Sequence, residues 1–156
     1  MMWTHLLVLA ALLLPGALPT ATSQKPAPPK AAAARVVPGE LPVTLTYKGK
    51  GVVDDKHKLI AWLFTDANIT SASRPVGTET ATSNGATVTF KNAPATPVYV
   101  FAVYDETGSY DGVSGPPPAG LPCALYKKTA KGAPTAVSAG ATPIALTFND
   151  AERWNK

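Results

Sequence analysis

The sequence predicts an all-β domain, a Greek-key β-sandwich of about seven strands, and three observations carry that prediction. From residue 41 onward, apolar residues recur at every second position in short runs rich in β-branched side chains, the period of a half-buried strand. Two further runs are apolar on both faces, as central strands covered from each side would be. Strong turn signals separate the runs, and no stretch sustains a helical period, because Pro and Gly interrupt the candidates.

Taken along the chain, "VTLTY" turns Val43, Leu45 and Tyr47 to one side and Thr44 and Thr46 to water. Lys48-Gly49-Lys50-Gly51 then marks a turn. "LIAWLF", residues 59 to 64, has no polar side and reads as a central strand. Asn84-Gly85 suits the positive φ of a two-residue hairpin, and "ATVTF" follows with Ala86, Val88 and Phe90 inward. Pro94 and Pro97 mark a corner before the second two-sided run, "VYVFAVY", residues 98 to 104. A longer connection holds Gly115 to Pro118, and "PIALTF" ends the pattern with Ile144, Leu146 and Phe148 inward.

The 41–156 domain is preceded by two segments of different composition. Residues 1–23 carry no acid and an apolar core from Leu6 to Leu14, too short for a bilayer, which needs about 20 apolar residues. Pro15-Gly16 and then Ala21-Thr22-Ser23 supply the break and the small-x-small pattern of a secretory signal, although no Lys or Arg precedes the core. Cleavage near Ser23 is expected, giving a secreted or periplasmic chain with no membrane span. Residues 24–40 are Pro- and Ala-rich with too little apolar bulk to fold alone, and read as a flexible linker.

Charge and cysteine usage narrow the function classes. The net charge is +4, but three of the fourteen basic side chains, Lys25, Lys30 and Arg35, sit in residues 24–35, where there is no acid. The remainder has eleven bases against ten acids and no basic cluster interleaved with aromatics, so no nucleic-acid partner is expected. Cys123 is the one cysteine, which excludes an intramolecular disulfide. It reads as a buried small apolar residue; a nucleophilic thiolate would need a base, and only His57 is present in the mature part.

The order "KLIAWLF", "NGATVTFKNAPATPVYVFAVYDETGSYDG", "GPPPAGLPCALY" and "TPIALTFND" resembles small exported bacterial proteins with a transthyretin-like (prealbumin-like) sandwich, related to the regulatory module of carboxypeptidases. The resemblance spans roughly residues 41 to 150, with "VYVFAVYDETGSYDG" its most specific part. It implies an immunoglobulin-like, prealbumin-like fold and export, and a noncatalytic module with no zinc-ligand motif.

The loop after residue 104 is the candidate site. Asp105, Thr107, Ser109 and Asp111 place oxygen ligands at alternate positions, the spacing at which a short loop could wrap a hard cation such as calcium. Tyr110 stands where an EF-hand needs Gly, and Pro116 where it needs the bidentate Glu. The same acids and glycines also suit a plain turn, because Asp bonds its own backbone and Gly tolerates left-handed geometry. The prolines that follow fix φ and stiffen the connection, which preorganises a binding surface. Tyr110, Asp105, Asp111 and Pro117 are therefore the candidate binding residues, with Tyr110 expected to be exposed among glycines and acids. Tyr99 and Phe101 are expected to be buried beneath a second sheet, while Tyr126 and Trp154 add to the aromatic inventory.

Catalytic signals are weak. His57 lies in the charged turn "DDKHK" with no second His or Cys near it for zinc, and no Gly-x-Ser-x-Gly elbow is present. The Asp54-Asp55 and Asp105-Asp111 pairs are of a kind any chain with ten acids offers. Asn68-Ile69-Thr70 matches a glycosylation sequon. The sequence thus points to a noncatalytic exported module without a cofactor, engaging a protein or polysaccharide of the envelope through the 105–120 loop. The alternatives are a carbohydrate-binding accessory domain with a structural calcium ion and a hydrolase with an unrecognised site.

Overall fold

The computed structural model describes residues 39–155. The expected signal segment, and the 24–40 linker up to residue 38, lie outside them. Seven strands occur among the described residues: β1 Leu41–Tyr47, β2 Leu59–Phe64, β3 Gly77–Ala81, β4 Thr87–Phe90, β5 Tyr99–Tyr104, β6 Cys123–Leu125 and β7 Ile144–Phe148. They form two sheets, β4-β1-β7 and β3-β2-β5-β6. Every pairing is antiparallel except β1 with β7, which run parallel from Val43 beside Ile144 to Tyr47 beside Phe148. Among the described residues no helix is long and apolar enough to cross a membrane.

The alternation in β1 becomes a buried row of Leu41, Val43, Leu45 and Tyr47. That row packs against Leu59, Ala61 and Leu63 of β2 and Val100, Ala102 and Tyr104 of β5 in the core between the sheets. Val88, Phe90, Ile144, Leu146 and Phe148 complete it, as the one-sided pattern of β4 and β7 predicts. Burying each large side chain stabilises the fold by roughly 1.5–3 kcal/mol, so this core is the main source of stability.

The other faces of β2 and β5 carry a second cluster of Ile60, Trp62, Phe64, Phe101, Val103, Leu121, Cys123 and Trp154. Phe101 is buried, but its cover differs from the expected second sheet. The β5–β6 loop lies over one part of this face, and the chain after β7 lies over another. That last segment is held like a short strand: Cys123 N–H donates to Glu152 O at 2.9 Å, Trp154 N–H to Leu121 O at 2.9 Å and Gly120 N–H to Trp154 O at 2.7 Å.

The expected Asn84-Gly85 hairpin is a crossover instead, since β3 and β4 belong to different sheets. Gly85 has positive φ, at 79°. Asn84 works through its side chain: Tyr47 N–H donates to Asn84 Oδ1 at 2.8 Å and Asn84 Nδ2 donates to Tyr47 O at 2.7 Å. The amide thus imitates a strand neighbour and closes the end of β1.

Candidate functional site: a groove beside the β5–β6 loop

Asp105 organises the loop. It is fully buried at 0% exposure, directly after β5. Its Oδ1 accepts from Thr107 N–H at 3.0 Å, Thr107 Oγ1 at 2.6 Å and Gly108 N–H at 3.1 Å, while Oδ2 accepts from Tyr110 N–H at 2.8 Å. One side chain therefore satisfies three backbone donors that no sheet neighbour reaches. Thr107 Oγ1 is also 2.9 Å from Ser109 Oγ.

Asp111 closes a separate, exposed turn. Its carboxylate accepts Val113 N–H and Ser114 N–H, each at 2.9 Å, and a short bond from the Ser114 hydroxyl. These bonds, the Ser114 hydroxyl first, hold its carboxyl down at about 2. The four residues with cation-like spacing thus direct their oxygens at the loop's own donors and at one another. Among the described residues no group of three or more His, Cys, Asp or Glu could hold a metal ion.

Tyr110 is half-buried, in contrast to the expected exposure. Its ring lies 6.0 Å from Trp62 and its hydroxyl donates to Gly115 O at 2.7 Å. Burial, followed by the charges of Asp111 and Asp105, pushes the phenol up to about 12, so it stays a donor at neutral pH. Gly112 lets the loop touch the sheet. It has φ +79°, and a Cβ there would meet Ile60 Cγ2 at 2.7 Å. Its carbonyl accepts the Trp62 indole N–H at 2.9 Å.

These contacts shape a groove of about 440 Å³ on the outer face of the four-stranded sheet. Tyr110 and residues 112–117 form one wall, including the candidate Pro117, and residues 69–75 form the other. Trp62, Phe64, Phe101 and Trp154 make the floor. Val113 stands on the rim at 73% exposure. The four floor residues are only 3–7% exposed, so little ring surface is open to the groove. The Trp154 indole N–H is buried without a hydrogen-bond partner, whereas that of Trp62 is satisfied.

The aromatic inventory read from the sequence included Phe101 and Trp154 of this floor, but missed Trp62, Phe64 and the 69–75 wall. The available signal was the two-sided pattern of β2, because a strand with apolar residues on both faces requires a cover somewhere else in the chain.

Several other titratable groups are engaged elsewhere. His57 Nδ1 lies 3.1 Å from Asp54 Oδ1, which also accepts the backbone N–H of Lys56 and His57. The other side of the imidazole lies beside Gly108. At the same end of the sandwich a polar hollow of about 530 Å³ contains Tyr47, bonded through its hydroxyl to Asp150 and stacked on Tyr104 at 4.2 Å. Arg153 pairs with Glu106 there at 2.8 Å. Burial raises the Tyr47 phenol and its bond to Asp150 raises it further, while that same bond lowers the Asp150 carboxyl, so the phenol keeps its proton and donates it to an ionised carboxylate. Cys123 is buried in the outer cluster, and burial followed by the Glu152 charge pushes its thiol up to about 11, away from thiolate chemistry.

Comparison with models of known protein families, with curated proteins and with solved structures finds no match to this chain.

Proposed function

We propose that this chain is a noncatalytic, exported binding module that engages a polypeptide partner through the groove beside the 105–120 loop. Its body is a Greek-key sandwich of the prealbumin-like, transthyretin-like kind. The crossing of the chain between two sheets of order β4-β1-β7 and β3-β2-β5-β6 supports the architectural part of the reading. The groove itself carries the functional part: an apolar floor with hydroxyls and Arg74 along its margin, held open by a loop that Asp105 has already ordered. A wall fixed before docking loses little freedom on binding.

A polypeptide fits this geometry better than a sugar. Carbohydrate stacking needs an open ring face, and the floor residues are 3–7% exposed. The exposed apolar side chain on the rim is Val113, which suits contact with another protein. A noncatalytic role accords with the pairing of His57, Asp54, Tyr47, Asp150, Glu106 and Arg153 among themselves.

Both described tryptophans, Trp62 and Trp154, lie in the groove, so intrinsic fluorescence reports its occupancy. Peptides selected by display against the chain are expected to shift that emission, and Val113→Asp is expected to abolish the shift while leaving the circular dichroism unchanged. A shift produced by envelope polysaccharides and by no peptide would reverse the assignment.

A further inference from the structure

Asn84-Gly85 is the one Asn-Gly step in the chain. Glycine has no Cβ to hinder its own backbone nitrogen, so this is the step at which that nitrogen most readily attacks the preceding asparagine side chain. The step lies in the exposed crossover from β3 to β4, and a Cβ at Gly85 would meet nothing within 4 Å, so water reaches it freely. Both reacting groups are nevertheless held by β1. The Asn84 carboxamide accepts Tyr47 N–H at Oδ1, 2.8 Å away, and donates from Nδ2 to Tyr47 O at 2.7 Å. Gly85 N–H donates to Leu45 O at 2.9 Å, and Leu45 N–H donates to Ala86 O at 2.9 Å.

We propose that Asn84 is a fold-gated deamidation site, inert while its amide is paired with Tyr47 and reactive when the end of β1 opens. In the reaction the Gly85 nitrogen gives its proton to base and bonds to Asn84 Cγ, the Cγ–Nδ2 bond breaks, and ammonia leaves as a succinimide ring closes. Water then adds to one of the two ring carbonyls and opens the ring to aspartate or isoaspartate. The net change is ammonia exchanged for water, with no other co-reactant. Attack requires the carboxamide to swing onto the Gly85 nitrogen, which breaks its two bonds to Tyr47, and requires that nitrogen to leave Leu45 O. The same hydrogen bonds that close β1 therefore hold the reaction off.

Neither product fits the closed structure. Aspartate puts a carboxylate oxygen where Nδ2 stood, so acceptor faces acceptor at Tyr47 O. Isoaspartate lengthens the backbone by one atom between residues 84 and 85, which moves Gly85 N–H and the Ala86 carbonyl out of register with Leu45. A chain that has reacted closes the end of β1 less well and opens more often. The modification is thus a covalent record of opening at the place where β1 meets the crossover to β4, and it makes the next opening easier.

The test incubates the full chain at mildly alkaline pH, in buffer and in enough guanidinium to unfold it, and then maps the products by peptide mass spectrometry and isoaspartyl methyltransferase labelling. Conversion at residue 84 is expected in the denaturant and at least about tenfold slower in buffer, because the reactive form must first break the bonds to Tyr47 and Leu45. Gly85→Ala in denaturant should slow conversion by crowding the attacking nitrogen. Asn84→Asp, which carries the aspartate product, should unfold at lower denaturant than the parent at neutral pH. That difference should shrink at acidic pH, where the protonated carboxyl donates to Tyr47 O again. The proposal is overturned by equal rates in buffer and denaturant, by no conversion at residue 84 in denaturant, by an unchanged rate in Gly85→Ala, or by Asn84→Asp as stable as the parent at neutral pH.

Discussion

Replacing Asp105 with Ala is the most searching test of how the loop is built. The substitution removes acceptors from Thr107 N–H, Gly108 N–H, Tyr110 N–H and the Thr107 hydroxyl at once. Thr107 is exposed, so water can take over its two donors at little cost. Gly108 and Tyr110 are half-buried, and a buried donor without a partner costs about 1–3 kcal/mol. Allowing for partial hydration of those two, and adding the space left by a fully buried carboxylate, the expected loss is about 2–4 kcal/mol. For a domain of this size that lowers Tm by roughly 10 °C or more. Asp105→Asn should fall between, because its amide oxygen can serve the Oδ1 donors while its NH2 group opposes Tyr110 N–H. Urea unfolding followed by tryptophan emission gives both values, and emission of the folded state reports whether Tyr110 has left Trp62. A loss under about 0.5 kcal/mol for Asp105→Ala would refute the reasoning, since that is the range of surface changes that touch nothing.

Three other expectations follow from the same geometry. Trp62→Phe and Trp154→Phe delete the same atoms, but the first strands the Gly112 carbonyl and the second removes an unpartnered N–H; calorimetry should find Trp62→Phe the worse by about 2 kcal/mol. Gly85 and Gly112 share φ +79°, yet a Cβ meets nothing within 4 Å at Gly85 and Ile60 at 2.7 Å at Gly112, so denaturant unfolding should show a cost of about 1 kcal/mol for Gly85→Ala and about 2–3 kcal/mol for Gly112→Ala. The Cys123 thiol is raised from 9.0 to about 11, so the folded state binds its proton more tightly and stability is full below pH 9 and falls as pH rises toward 11. Cys123→Ala should flatten that part of a pH-dependent unfolding curve, and alkylation of the native thiol should be slow until the protein unfolds.

The legible part of the fold was the part written in side-chain burial. β1, β4 and β7 show period-two alternation because one face meets the core, and β2 and β5 lose it because both faces are covered. β3 escaped individual notice for the opposite reason. Its Gly-Thr-Glu-Thr-Ala carries almost no apolar signal, and the backbone ladder to β2 holds it in the sheet. β6 has three residues, too few to show a period. Asn84-Gly85 looked like a hairpin because local chemistry reports that the chain turns, whereas the destination of the turn depends on which sheet receives β4. At the site, the loop's Asp-Gly composition was visible, but the role of Asp105 as acceptor for three backbone donors was not. Composition alone does not distinguish a carboxylate aimed at its own loop from one aimed at a cation.

The two-sided apolar pattern of β2 and β5 ties these observations together. Two adjacent strands with apolar residues on both faces cannot face water, so the outer face had to be sealed. A third sheet would have sealed it permanently and left no groove. The chain instead uses the loop that follows β5 and the segment that follows β7, joined to each other by the hydrogen bonds between residues 120–123 and 152–154. Such a cover adds Leu121, Trp154 and Tyr110 to the apolar cluster and takes its shape from specific polar contacts and close approaches: Asp105 for the loop's shape, Gly112 for its approach to the sheet, and the Gly112 carbonyl for the Trp62 indole. The cover is consequently narrower than the face beneath it, and the groove forms where loop, terminal segment and the 69–75 connection fail to meet. The groove is therefore a product of the way the outer face is closed, which is why its position depends on Asp105 and Gly112 as much as on the aromatic residues of its floor.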